Sequence, residues 1–158
     1  MKFDKITQLR FLIIDWCLTD KEHKYTYEEL TARMAEALFG DSSFSILPSL
    51  VDDDINAIQN YIAFDTQIIS YPMEYGEKCY YGYEDPCYRM FYNKLSFEEL
   101  KKLCSSLRPL YISVKTYEEY KDSSELTFLH EIILNLEERL GITGKIPSAE
   151  ETYIFQIL

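Results

Sequence analysis

Three consecutive aspartates, Asp52–Asp54, are the most compact group of side chains that could do chemistry. Carboxylates bind divalent cations when several converge on one point. Here Val51, Ile55, Ile58 and Ile62 recur at helical spacing around them, which predicts that the aspartates lie on a helix. Successive helical side chains point about 100° apart, so three neighbours cannot easily share one ion. We interpret them instead as first-turn acids, each favouring the helix dipole by about 0.3–1 kcal/mol.

The cysteines and histidines form no pattern typical of a metal or catalytic site. Four cysteines occur without a C-x-x-C pair, and neither histidine lies near one in sequence. A glycine-rich phosphate loop is also missing, so we expect neither an enzyme nor a cofactor. A Cys79–Cys87 disulfide would need an oxidising compartment, whereas idle thiols suit a reducing one.

The composition predicts a folded and strongly acidic protein. The chain has 158 residues, of which 47% are hydrophobic, and its formal net charge is −11. No apolar run is long enough for a membrane span, and the N-terminal residues lack a signal-cleavage site, so we expect a cytoplasmic protein. The negative charge weakens attraction to phosphate, which argues against a nucleic-acid role without excluding it.

Three helices are expected in the first part of the chain. The first covers about Ile6–Leu18, and the second begins at a capping box of Thr26 and Glu29 and ends at Gly40. The third carries the aspartates, with Ser49 as its N-cap. We expect these helices to bury one shared core, made of Trp16, Leu30, Met34, Ile55 and Ile58.

A β-hairpin should follow, with strands near Ile68–Met73 and Lys78–Tyr83, because the segment is rich in Ile and Tyr and has a turn at "EYGE". The fold class is therefore α+β, and three helices before a hairpin give the order of a winged helix-turn-helix. A further helix begins at a capping box of Ser96 and Glu99, and Pro109 should end it.

The last part of the chain predicts assembly. The segment after Pro109 fits either a strand or a helix, a long apolar-striped helix should cover Asp122–Leu140, and a strand should cover Tyr153–Leu158. Such a strand needs an edge to pair with, which favours a homodimer over a monomer in which the strand folds back. We divide the chain into a helix-turn-helix domain, residues 1–93, and a helical linker or dimerisation region, residues 94–158.

Several segments resemble one family. The stretches "QLRFLIIDWCLTDKEHKYTYEELTARMAEAL", "LVDDDINAI" and "YYGYEDPCYRMFYNKLSFEELKKL" are similar to the N-terminal half of WYL-domain transcriptional regulators, in the form common in Bacteroidetes. The resemblance implies a DNA-binding winged helix-turn-helix with a helical linker, here without the WYL domain. It covers nearly all of the sequence.

The sequence departs from that family where DNA would be held. Pro48 and Ser49 replace a usual pair of arginines, and Lys78 is the only cation of the hairpin turn. The family therefore implies a transcriptional regulator with weak DNA affinity, and the alternative is an acidic protein-binding or dimerisation module that does not bind DNA. If duplex DNA is bound, the contacts should come from the outward side of the third helix and from the hairpin: Ser49, Leu50, Asp53, Asn56 and Lys78.

Overall fold

The computed structural model describes residues 3–72, 78–91, 95–120, 131 and 134–135. Within them the protein is α+β, as the sequence predicted, and it has four helices and a three-stranded antiparallel sheet. The elements are α1 (Lys5–Leu18), β1 (Tyr25–Thr26), α2 (Tyr27–Phe39), α3 (Pro48–Tyr61), β2 (Ile68–Pro72), β3 (Cys79–Tyr83) and α4 (Phe97–Tyr120).

Both predicted capping boxes are confirmed. The backbone N–H of Thr26 donates to Glu29 Oε2 at 3.0 Å, and the N–H of Glu29 donates back to Thr26 Oγ1. Ser96, the residue before α4, exchanges the equivalent two hydrogen bonds with Glu99, at 3.2 Å each. Gly40 ends α2 in the left-handed conformation, with φ of 78°. These short-range hydrogen bonds set where α2 and α4 begin.

Two predicted helix boundaries are wrong, and proline explains both. The N-cap of α3 is Leu47 rather than Ser49, because Pro48 occupies the first helical position, where its fixed φ and missing N–H cost nothing. Pro109 does not end α4 but lies inside it. The buried side chains Leu107 and Tyr111 pack into the core on either side of the proline, and this packing outweighs the lost hydrogen bond.

The hairpin is confirmed, and it gains a third strand. β2 pairs with β3 from Ile68 opposite Tyr83 to Pro72 opposite Cys79. The short strand β1 pairs with the other edge of β3, which gives the order β1-β3-β2. Because β1 leads directly into α2, the sheet is fixed to the start of that helix. The predicted turn, at residues 73–77, lies outside the described residues.

The core forms around α1 in two neighbouring clusters rather than the one shared core that was predicted. Met34 and Ile58 are buried in the larger cluster and Leu30 in the smaller one, whereas Trp16 and Ile55 are only half-buried and pack against both. The indole N–H of Trp16 donates to the carbonyl of Leu95, at 2.7 Å, which ties α1 to the segment before α4.

A buried carboxyl on α1 organises the chain after the hairpin. Asp15 accepts hydrogen bonds from the Tyr83 hydroxyl at 2.8 Å and from the backbone N–H groups of Met90 and Phe91, at 3.0 and 3.3 Å. Burial raises the pKa of Asp15 above its ordinary value, while these hydrogen bonds act to lower it. This carboxyl therefore ties β3 and the segment before α4 to α1.

The segment after Pro109, which the sequence allowed to be either a strand or a helix, is helical as far as Tyr120. The predicted strand at Tyr153–Leu158 lies outside the described residues, as does nearly all of the predicted helix Asp122–Leu140. The domain boundary at residue 93 and the homodimer stay predictions.

Candidate interaction surface on the third helix

One side of α3 is buried, and the other side carries acid. Val51 and Ile58 are completely buried, while Asp52 and Asp53 are exposed. None of the 14 residues of α3 is lysine, arginine or histidine. We give the name α3 face to five exposed polar residues of this helix, with the half-buried Leu50 at their edge: Ser49, Asp52, Asp53, Asn56 and Asn60.

The third aspartate is a structural residue, a role that its sequence neighbours do not indicate. Asp54 is buried, and its carboxylate accepts two hydrogen bonds from the Arg10 guanidinium on α1: Nε to Oδ2 at 2.7 Å and Nη2 to Oδ1 at 3.0 Å. Arg10 also donates to the Thr7 hydroxyl at 3.2 Å. Burial raises the pKa of Asp54, and Arg10 opposes that rise. The pair fixes the rotation of α3 against α1 and thereby directs the other two aspartates outward.

The start of α3 is also fixed to α2 and the sheet. The Tyr27 hydroxyl donates to the carbonyl of Pro48, and the Tyr27 ring lies 6.4 Å from the Tyr81 ring on β3. Burial raises the pKa of this hydroxyl, and the charge of Asp52 raises it further. Asp52 thus lies beside the point where α2, α3 and the sheet meet.

The aspartates do not serve the helix dipole as expected. α3 begins at Pro48, so Asp52–Asp54 lie beyond its first turn, which contains no acidic residue. Charge near a helix terminus acts mainly within that first turn. The exposed negative charge of Asp52 and Asp53 therefore has no evident role in stabilising this helix.

The proposed DNA contacts occupy different environments. Ser49, Asp53 and Asn56 are exposed on α3, as predicted from the helical spacing. Leu50 is half-buried and packs against the core, so only part of its side chain faces solvent. Lys78 is exposed immediately before β3, on the hairpin rather than on α3.

The outer side of the sheet brings together two aromatic rings and a lysine that no sequence motif connects. The Tyr71 and Tyr80 rings stack with centroids 5.2 Å apart, and the Lys24 ammonium lies 4.5 Å from the Tyr80 centroid. Tyr71 is close to Gly82, where a Cβ atom would lie 3.6 Å from the ring. The Tyr-rich composition of this segment predicted strands, but it did not indicate that Lys24, which precedes β1, would lie over the Tyr80 ring.

The described residues show no metal cluster. They contain no group of three or more His, Cys, Asp or Glu side chains placed to hold an ion. All four cysteines are free thiols, with Cys17 and Cys104 buried and Cys79 and Cys87 exposed. Burial raises the pKa of the Cys104 thiol to about 12, and it raises that of Cys17 even more strongly. Both buried cysteines are therefore unreactive side chains of the core.

A scan against protein-family models finds no match to this chain, and neither do searches of curated proteins and of solved structures. Among the described residues, none of the helices has the length and apolar character needed to cross a membrane.

Proposed function

We propose that this chain is a regulatory module with the winged helix-turn-helix architecture found before WYL domains, and that its α3 face binds a basic surface of a partner protein. The observation that carries this proposal is the exposed pair Asp52 and Asp53 on a helix without a cation. A helix that enters the major groove lies close to phosphates on both sides. Two carboxylates there would be repelled, whereas a basic protein surface would be attracted.

The arrangement of elements supports the architecture in this proposal. Three helices precede a hairpin whose inner strand also pairs with β1, ahead of α2. In a winged helix-turn-helix, the third helix is the usual contact element, and its outer side is free for a ligand. Here Arg10 and Ile58 hold the inner side of α3, so the outer side can change its charge without affecting the fold.

Peptide titration followed by NMR tests the α3 face. A lysine-rich peptide should shift the amide signals of Asp52, Asp53 and Asn56, and the shifts should shrink as salt rises. The double variant Asp52→Asn/Asp53→Asn should lose most of this response. Asp65→Asn/Glu84→Gln removes two exposed acids elsewhere and should retain it. An equal loss in both double variants would mean that only net charge matters and would refute a specific face.

DNA binding is the second candidate function, and Asn56 favours it. The Asn56 side chain is exposed on α3, and an amide is able to pair bidentately with adenine. Ser49, Leu50 and Asp53 would lie beside it, and Lys78 would meet phosphate. So few cations imply weak binding that decreases steeply with salt.

A homodimer is also part of the proposal, through the apolar stripe and the terminal strand predicted in residues 122–158. Two-fold symmetry is the commonest oligomeric form and would repeat the α3 face on the assembly. Sedimentation at micromolar concentration should give a dimer mass that is lost when residues 152–158 are deleted. A monomer mass unaffected by the deletion would refute the dimer.

A further inference from the structure

A second surface, separate from the α3 face, lies between the C-terminal end of α2 and the first half of α4. It is an open groove of about 460 Å³, and we call it the α2–α4 groove. The residues that give it its chemistry are Phe39, Phe44, Lys102, Ser105 and Arg108. Its volume falls in the range of sites that hold a small ligand or a few side chains of a peptide.

Two phenylalanines form an exposed apolar floor in this groove. The Phe39 and Phe44 rings stack with centroids 5.2 Å apart and an interplanar angle of 27°. Phe39 is 41% exposed and Phe44 is 55% exposed, although both side chains are large enough to fill a core position. Aromatic rings that remain exposed as a pair provide much of the contact energy when a partner covers them.

The acids in the groove are already paired, which leaves two cations. Lys101 Nζ lies 3.2 Å from Glu36 and 3.8 Å from Glu98, so its charge is used within the groove. The Arg108 guanidinium lies 5.0 Å from the centroid of the Phe39 ring. Among the described residues, neither Arg108 nor Lys102 has a carboxylate partner. A local excess of positive charge thus borders the phenylalanines in a chain whose net charge is −11.

We propose that the α2–α4 groove binds an acidic segment of a partner protein that carries one aromatic or aliphatic anchor residue. The anchor would cover the Phe39–Phe44 pair, and carboxylates beside it would meet Arg108 and Lys102 in charge-assisted hydrogen bonds. A nucleic acid fits less well, because its phosphate backbone extends beyond the two cations of the groove and would meet the rest of a chain whose net charge is −11.

Fluorescence anisotropy with the full chain tests the proposal. The probe is a short labelled peptide of Glu and Asp around a central Phe-Leu pair, compared with a counterpart in which Lys replaces every acid. The acidic peptide should bind at least about tenfold more tightly. Arg108→Glu should weaken it by about tenfold and Phe44→Ala by about fivefold, since both residues lie at the centre of the contact. The amide signals of Gly40 and Ser105 should shift on titration.

Two variants serve as matched controls. Phe64→Ala removes a phenylalanine that is 76% exposed outside the groove, and Lys21→Glu reverses an exposed cation outside it. Both should bind the acidic peptide within twofold of the unaltered chain, a change of about 0.4 kcal/mol or less.

Four results would overturn the proposal. The first is equal or undetectable binding of the two peptides. The second is an equal loss of affinity in Phe64→Ala and Phe44→Ala. The third is displacement of the peptide by single-stranded oligothymidine, with the same dependence on Arg108, which would assign the groove to nucleic acid. The fourth is a dimer that Arg108→Glu dissociates while the peptide fails to bind, which would assign it to a second copy.

Discussion

The third and fourth helices present surfaces of opposite charge, and the protein holds them by different means. α3 has an acidic outer side and no side-chain cap, and its position depends on a buried ion pair and apolar residues. α4 begins at a capping box and carries the cations of the α2–α4 groove. The comparison shows that the inner contacts of a helix fix its place without fixing the charge of its outer side. Architecture alone therefore does not tell what such a helix binds.

The largest expected effect comes from breaking the ion pair under α3. Arg10→Ala leaves the Asp54 carboxylate buried without its partner and should lower the free energy of unfolding by about 3–5 kcal/mol. Replacing both residues, as Arg10→Met/Asp54→Leu, should cost far less, because no buried charge remains. Urea unfolding of both variants measures the difference. A loss in Arg10→Ala under about 1 kcal/mol, typical of a surface pair, would show that this pair does not anchor α3.

The loss of stability in Arg10→Ala should depend on pH. The folded-state pKa of Asp54 lies above its ordinary value of 3.8, with burial as the main cause. Its contribution to stability is thus fully present below that value and is lost as pH rises through the folded pKa. Without Arg10 the folded pKa should rise further, so the destabilisation by Arg10→Ala should be smaller at pH 4 than at pH 7. Unfolding curves at the two pH values test this, and a destabilisation that is larger at pH 4 would contradict it.

The apolar anchor of α3 should matter almost as much. Ile58 is completely buried, and Ile58→Ala should cost about 2–5 kcal/mol through lost burial and the cavity left behind. A guanidinium melt measures the cost. Phe64→Ala, on an exposed ring just after α3, provides a control and should stay within about 0.5 kcal/mol of the unaltered protein. If Ile58→Ala costs no more than this control, α3 is not packed as described.

The smallest expected changes in stability come from the N-terminal ends of α3 and α4. Ser96→Ala removes one of the two capping-box bonds at α4 and should cost about 0.5–2 kcal/mol. Ser49→Ala should change stability by less than about 0.5 kcal/mol, because Leu47 and Pro48 begin α3 and Ser49 is exposed. Thermal melts of the two variants make the comparison. Equal losses would mean that Ser49 caps α3 after all.

The sequence predicted the features that depend on near neighbours. Thr26 with Glu29, Ser96 with Glu99, and the left-handed Gly40 are each determined within a few residues, and each was predicted at its observed position. The hairpin strands were predicted to within one residue at each end, because the segment is rich in Ile and Tyr and is interrupted by a turn-forming stretch.

The features that were missed depend on distant partners. Arg10 and Asp54 are 44 residues apart, and Asp15 is 75 residues from Met90, so no local pattern indicates either contact. Pro109 remains inside α4 because distant core residues receive Leu107 and Tyr111. The α2–α4 groove brings Arg108 to the rings of Phe39 and Phe44, more than 60 residues earlier in the chain, so no local spacing indicates it.

The account rests on the claim that the α3 face repels duplex DNA, and a mobility-shift titration tests it most directly. The unaltered chain and the charge-reversed Asp52→Lys/Asp53→Lys variant are each titrated with a random-sequence duplex and with a pool of genomic fragments. At about 0.15 M salt the unaltered chain should shift neither, while the reversed variant should bind both and lose affinity steeply with added salt. Tight, sequence-specific binding by the unaltered chain that persists at this salt concentration would contradict the account and assign the α3 face to DNA.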